Sequence, residues 1–373
     1  MSDVMFIGPY RQGDGWGGGA RDYVQCLNQT SHNIVTRPVY MSNRITNDIP
    51  EDILKLENKF LDKKPDYVIQ NVLPHLLQWQ HGPKNIGLFY LENSNIKATG
   101  WVSHINLMDE VWVNSSFEQE VLLDSGVTIP TRLVPMPYDF SKAEKEYKLT
   151  PIPEINNSFT FYFIGEYIDR KNIGALVKAF HMEFTHSDNV SLVIKTNAAG
   201  VTPEELTQKV LADVNNIKSG MRKYLNVNMY IPEFIVTEMM SEDDLFSLHK
   251  SADCFVMPSK GESLNRPLMD AVAMGNQVIY TRGVGMRDVA PCGFDVVAHK
   301  SPTLTSNPPM RNLYTSHESW QEIDIYALAE AMRTAYMTRN HEIAEQSIDR
   351  NQKHLRRHFS QEAISKKIEE ALC

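Results

Sequence analysis

CFVMPSKGESLNRPLMDAVAMGNQVIYT, residues 254–281, places a strand, a loop, a helix and a second strand in immediate succession. CFVMPS (254–259) is a short apolar run of buried-strand type. SKGES (259–263) is the loop leaving its carboxyl end. Pro267 suits the first turn of a helix, where no backbone N–H is needed and φ is already set. PLMDAVAMG (267–275) is then a helix that Gly275 stops, and QVIYT (277–281) is the next strand. Strand, helix and strand in that order predict a parallel pair with a crossover helix. Glu262 falls in the loop, and Asp270 is expected in the first helical turn. Both then sit beyond the carboxyl end of a strand, where doubly wound sheets bind ligands. The helix dipole alone also favours acids at a helix start, so the pair by itself fits a site and a capped helix equally.

The same alternation runs outward in both directions. After residue 158, FTFYFIGEY (159–167), VSLVIKTN (190–197) and VNMYIPE (227–233) read as strands. NIGALVKAFHMEF (172–184), PEELTQKVLADVNNIKSGM (203–221) and SEDDLFSLHKSA (241–252, capped by Ser241) read as helices, as do 319–337 and 360–372. Before residue 140, strands are expected at 4–9, 33–41, 66–72, 85–92 and 110–115. Helices are expected at 20–29, 49–61 and 117–126. The polar stretch 141–158 reads as a linker. The chain is therefore expected to be α/β, with two Rossmann-like doubly wound domains at 1–148 and 149–355. A helix within 356–373 is expected to return to the first domain.

Composition agrees with this and narrows the function. The 373 residues are 42% hydrophobic and 22% charged, enough apolar material for two cores. The net charge of -9 gives no support to a nucleic-acid acceptor, which calls for a basic footprint. Cys26, Cys254, Cys292 and Cys373 form no CxxC pair and fit a reducing cytoplasm. The N-terminus lacks the basic and apolar regions of a signal peptide, and no apolar run approaches membrane-spanning length. Peripheral membrane contact stays open.

Two further segments carry chemistry. GDGWGGGA (13–20) reads as a glycine-rich loop that lets backbone approach a ligand, with a helix N-terminus behind it. GEYIDRKN (165–172) puts Arg170 and Lys171 ahead of a helix, against the dipole preference. An anionic ligand such as a diphosphate accounts for two cations there. No DxD stands at a strand end, and EDD (242–244) reads as part of a helix cap, so no essential metal is expected.

In this order, the three segments resemble family 4 glycosyltransferases of the two-domain GT-B fold, most strongly over 159–290. That family carries E-x7-E with a Pro between the acids, an Ala-rich helix ending in Gly and a PVI strand. Glu262, Pro267, Ala271, Gly275 and QVI (277–279) occupy those places, with Asp270 for the second Glu. DEVWVNSSFEQEVLLDSGV (109–127) and LVPMPYD (133–139) resemble the end of the family's first domain. The resemblance implies two domains facing a central cleft and retaining transfer of a sugar from a nucleotide diphosphate sugar to an acceptor hydroxyl on a glycan, lipid or small molecule, without an essential cofactor. It implies that Glu262 meets the donor sugar, Asp270 the ribose, and Lys171, with Arg170 beside it, the diphosphate. The amides of Leu264, Asn265 and Arg266 would meet sugar and phosphates, and Gly17, Gly18 and Gly19 the donor phosphate from the first domain. Glu166 stands where the family often has Arg, and the family's first-domain His has no counterpart in IQNVLPH (69–75). His75 is the nearest candidate, and Glu92 is a second polar one. Two other readings stand beside transfer: a nucleotide-sugar binding module that has lost catalysis, and a GT-B nucleotide-sugar epimerase. Base, sugar, acceptor and oligomeric state are not legible.

Overall fold

The computed structural model describes residues 1–150, 152, 155, 157–305 and 314–373. In chain order the elements are β1 (Asp3–Gly8), α1 (Gly15–Asn28), β2 (Asn33–Pro38), α2 (Glu51–Glu57), β3 (Tyr67–Asn71), β4 (Lys84–Leu88), α3 (Trp101–Ile105), β5 (Glu110–Val113), α4 (Ser116–Ser125) and β6 (Thr131–Leu133). Then come β7 (Phe159–Glu166), α5 (Ile173–Glu183), β8 (Val190–Asn197), α6 (Pro203–Met221), β9 (Glu233–Val236), α7 (Glu242–Ser251), β10 (Cys254–Met257), α8 (Arg266–Ala273) and β11 (Gln277–Thr281). The chain ends with α9 (Met286–Val289), β12 (Phe294–Val296), β13 (Ala298–Pro302), β14 (Ser319–Ile323), α10 (Ile325–Thr338), α11 (Glu342–Phe359) and α12 (Gln361–Ala371).

Two compact units result, one of residues 1–140 with 356–373 and one of 141–355. Of the expected linker, residues 151, 153, 154 and 156 lie outside the described residues. Each unit holds one six-stranded sheet, ordered β2-β1-β3-β4-β5-β6 and β12-β11-β10-β7-β8-β9. Every pairing in both is parallel. Parallel strands are covered on both faces and so read as continuous apolar runs. β10, CFVM, is fully buried along its length, as expected. Among the described residues no helix is long and apolar enough to cross a membrane.

In the first unit the glycine-rich stretch differs from its reading. It is not a loop followed by a helix at residue 20: α1 already begins at Gly15. Asp14 caps it, its Oδ1 accepting from the Gly17 amide at 3.0 Å, and the Gly18 amide donates to the Asp14 carbonyl at 2.9 Å. The glycines answer to packing instead. A Cβ on Gly17 would lie 2.0 Å from the Gln12 carbonyl oxygen, and one on Gly19 2.4 Å from the Tyr90 hydroxyl. Gly17→Ala is therefore expected to force a backbone shift costing about 1–3 kcal/mol or more, seen as a lower urea midpoint at unchanged slope. α12 packs on α1, with the Ser365 hydroxyl donating to Gln29 Oε1 at 3.0 Å.

Two elements of the second unit also differ. The strand expected at 227–233 is a 3-10 turn at Val227–Met229, and β9 starts at Glu233, just past Pro232. Proline has no N–H for a ladder, which sets that boundary. The helix expected at 319–337 opens instead as β14, antiparallel to β13. Asp324 then caps α10 by accepting from the Ala327 amide at 2.9 Å.

Glu233 on β9 ties down two helices. It bonds His181 Nε2 on α5, and Lys218 Nζ on α6 lies 2.7 Å from its other oxygen. Burial would raise the Glu233 carboxyl, but His181 and Lys218 outweigh it and hold it below the usual carboxylate range. Burial depresses the His181 imidazole more than Glu233 raises it. The sign is the same for both groups. The unfolded chain takes up each proton at a higher pH than the folded one, so stability falls on acidification. Tm is expected to drop below about pH 6.5 and again below about pH 4.3. Glu233→Gln should flatten the lower step, read by scanning calorimetry across pH.

Candidate functional site

β7 and β10 are neighbours in the second sheet, with Cys254 opposite Phe161. The loops leaving their carboxyl ends therefore emerge side by side. The first loop closes in a 3-10 turn, Asp169–Lys171, and Asn172 then takes a left-handed conformation with φ 54°. Asparagine tolerates that region because its short amide can bond locally. The second loop runs from Pro258 to Asn265. Asn265 has φ 110°, a strained value for a side-chain-bearing residue, and its side chain caps α8 by accepting from the Leu268 amide at 2.9 Å.

Backbone contacts stitch the two loops together. The Lys260 amide donates to the Arg170 carbonyl at 2.8 Å, and the Ser259 hydroxyl donates to it at 3.2 Å. Arg170 Nη1 donates to the Gly261 carbonyl at 2.5 Å and lies 3.1 Å from Glu262 Oε1. Lys171 Nζ reaches the same oxygen at 2.5 Å. The side chains of Glu262, Arg170 and Lys171 are only 7%, 10% and 13% exposed. Burial alone would push the Glu262 carboxyl up, but Lys171 and then Arg170 pull it below its ordinary range. Two cations share one carboxylate.

The other expected residues of this unit lie close in the chain. Leu264 is buried and Arg266 opens α8. Asp270 departs from expectation: it sits in the second turn of α8, and no acid occupies the first. The dipole explanation therefore does not apply to it, since that effect fades beyond the terminal turn. Glu166 ends β7, half-buried.

Gly17, Gly18, Gly19, His75 and Glu92 all belong to the first unit. His75 stands exposed on a 3-10 turn, Pro74–Leu76, after β3, its ring stacked 6.3 Å from that of Trp101. Glu92 is half-buried in the loop after β4. His32, Glu369 and Cys373, also of this unit, bring His, carboxylate and thiol ligand atoms within 4.8 Å of one another. None of those three was an expected site residue.

Sequence reading missed Ser259, Asn172 and Glu322. Glu322 on β14 lies with Oε2 2.7 Å from Lys260 Nζ and accepts from Asn172 Nδ2 through Oε1 at 3.1 Å. An Asn directly after the two cations was the available signal for the first loop.

Residues 158–303 match the family model described as glycosyl transferases group 1. The match covers β7, β10 and both loops just described. No curated protein is significantly similar in sequence. Solved structures share the fold across nearly the whole chain. Sucrose-phosphate synthase from Thermosynechococcus elongatus superposes with a TM-score of 0.67 at 14% identity, over 100% of this chain and 98% of that one. The E. coli trehalose-6-phosphate protein bound to UDP-2-fluoro glucose gives 0.65 at 11%, over 99% and 98%. Anabaena HepE in complex with UDP and glucose gives 0.61 at 12%, over 100% and 99%. The fold is thus α/β of the GT-B class.

Proposed function

We propose that the protein is a retaining glycosyltransferase that moves a sugar from a nucleotide diphosphate sugar to an acceptor hydroxyl. The observation that carries this is the buried Lys171–Glu262–Arg170 cluster at the adjacent ends of β7 and β10. Breaking the anomeric bond sends its electron pair to the diphosphate and leaves positive charge on the sugar ring. Lys171 and Arg170 stabilise the departing phosphate because they sit desolvated and preorganised, where charge interacts strongly. Glu262 faces the sugar and offsets the developing ring charge. The acceptor oxygen forms the new bond on the face the phosphate leaves, and its proton passes to that phosphate. Such a step calls for no separate strong base, which removes the need for His75 in that role.

Asp270 is assigned to the ribose hydroxyls and the 264–266 loop to sugar and phosphate. In the first unit, the amides of Gly17 and Gly18 are engaged with Asp14. UDP-2-fluoro glucose in one structural neighbour and UDP with glucose in another support a nucleotide sugar as donor. No essential metal or cofactor is assigned.

A thermal-shift screen of nucleotide sugars finds the donor, since a ligand of the folded state raises Tm. With that donor, release of nucleoside diphosphate that requires an added acceptor, and a product of unchanged anomeric configuration by proton NMR, is the expected result. Tight donor binding with no turnover against any acceptor makes the chain a binding module instead.

A further inference from the structure

We infer that Glu322 is a positioning residue that holds the cation loop and the Glu262 loop at their working separation; the inference rests on the donor-site reading above. Glu322 lies beyond the residues matched by the family model, so the resemblance assigns it nothing. Three observations lead to it. Its Oε2 pairs with Lys260 Nζ at 2.7 Å, two residues before Glu262, and its Oε1 accepts from Asn172 Nδ2 at 3.1 Å, one residue after Lys171. Its neighbour Gln321 donates its amide to the Lys260 carbonyl at 2.7 Å, so β14 is bonded to the second loop by backbone as well. Thr305, which leaves β13 on the way to β14, donates to Asp169 Oδ2 at 3.1 Å, so the segment leaving β13 also grips the first loop.

Beyond the Arg170 contacts already described, the loops have two further side-chain ties. The inner one is the Lys171–Glu262 pair itself. The outer one runs from Lys260 through Glu322 to Asn172. When a diphosphate takes Lys171, the inner tie is spent on ligand, and the outer one is left with the Arg170 contacts to keep the loops in register. A positioning error of about 1 Å costs rate by up to 10²-fold, so a contact touching no substrate can still set turnover.

The test pairs steady-state kinetics with binding of inorganic pyrophosphate by calorimetry, which needs the cation loop but no base, sugar or acceptor. Glu322→Ala is expected to lower kcat/KM for the donor by about tenfold or more and to weaken pyrophosphate by a similar factor. Glu322→Gln keeps the Asn172 bond and should fall between Ala and the native residue. Lys260→Met should reproduce the loss, and the double variant should be no worse than Glu322→Ala alone, because both remove one tie. Native kinetics and pyrophosphate affinity in Glu322→Ala overturn the inference, as do losses that simply add in the double variant. So does a drop in Tm that alone accounts for the lost activity, with affinity per folded molecule unchanged. A chain that transfers no sugar yet binds pyrophosphate in a Glu322-dependent way defeats the transferase reading and leaves the positioning role standing.

Discussion

Glu262→Ala is expected to lower sugar transfer by about 10²-fold or more and to destabilise the second unit by about 3–5 kcal/mol. Both effects come from one arrangement. Removing the carboxylate takes from Arg170 and Lys171, both nearly buried, the acid that they share. Glu262→Gln separates the effects. The amide keeps an oxygen to accept from Lys171 but carries no charge, so folding suffers less. The two cations then meet a phosphate with no carboxylate competing for them. Product nucleoside diphosphate is expected to bind about tenfold more tightly, a gain near 1.4 kcal/mol, while transfer stays impaired because the ring charge is no longer offset. Urea titration, calorimetry with the nucleoside diphosphate and initial rates read the three quantities. Native turnover in Glu262→Ala removes the residue from the reaction. Unchanged product affinity in Glu262→Gln means that the carboxylate does not compete for the cations. Acid should act like the Gln substitution. Because the folded carboxyl is depressed, its stabilisation is full above the ordinary glutamate pKa and is lost as pH falls through the lower folded value.

The fold was legible because its period was clean. Of the parallel strands, Cys254–Met257 is buried throughout and Phe159–Glu166 over its first six residues, and helices such as Pro203–Met221 carry their start in Thr202-Pro203. The misreadings share a cause: a local signal was given its commonest meaning. Clustered glycines usually mark a loop, but here Asp14 caps a helix and the missing side chains admit the Gln12 carbonyl and Tyr90. Ser319 to Met337 has helical spacing over most of its length, and only the cap at Asp324 separates strand from helix.

The site was legible in its parts and not in its pairing. Glu262 and the two cations were each singled out from their places at strand ends. That they form one ion cluster depends on β7 lying beside β10, although 91 positions separate Lys171 from Glu262. Periodicity carries no such information, because strand order follows from how whole helices pack. Glu322 was out of reach for the same reason, since it acts from a hairpin edge 150 positions from Asn172.

Lys171→Met and Arg170→Met are expected to fail in different ways, although both delete one cation from the same carboxylate. Arg170 is a strut. Its guanidinium bonds the Gly261 carbonyl, its own carbonyl accepts from Lys260 and Ser259, and its side chain is 10% exposed. Met there should cost about 3–5 kcal/mol by stripping a buried carboxylate of one partner and a loop of its brace. Lys does not rescue it, because an ammonium lacks the planar fork that serves the carbonyl and the carboxylate together. Lys171, by contrast, makes a single side-chain hydrogen bond among the described residues, Nζ to Glu262 Oε1, on a flexible stem. It is the cation that can leave Glu262 for a phosphate. Lys171→Met should therefore spare more stability, since Arg170 still pairs Glu262, yet cost about 10²–10³ in kcat by withdrawing charge from the leaving group. Lys171→Arg should restore part of that rate, because charge rather than shape is what the phosphate needs. The decisive comparison is kcat against urea midpoint for the three variants. If Lys171→Met keeps its kcat while Arg170→Met loses it at equal stability, the leaving group is held by Arg170, and Lys171 serves only to neutralise Glu262.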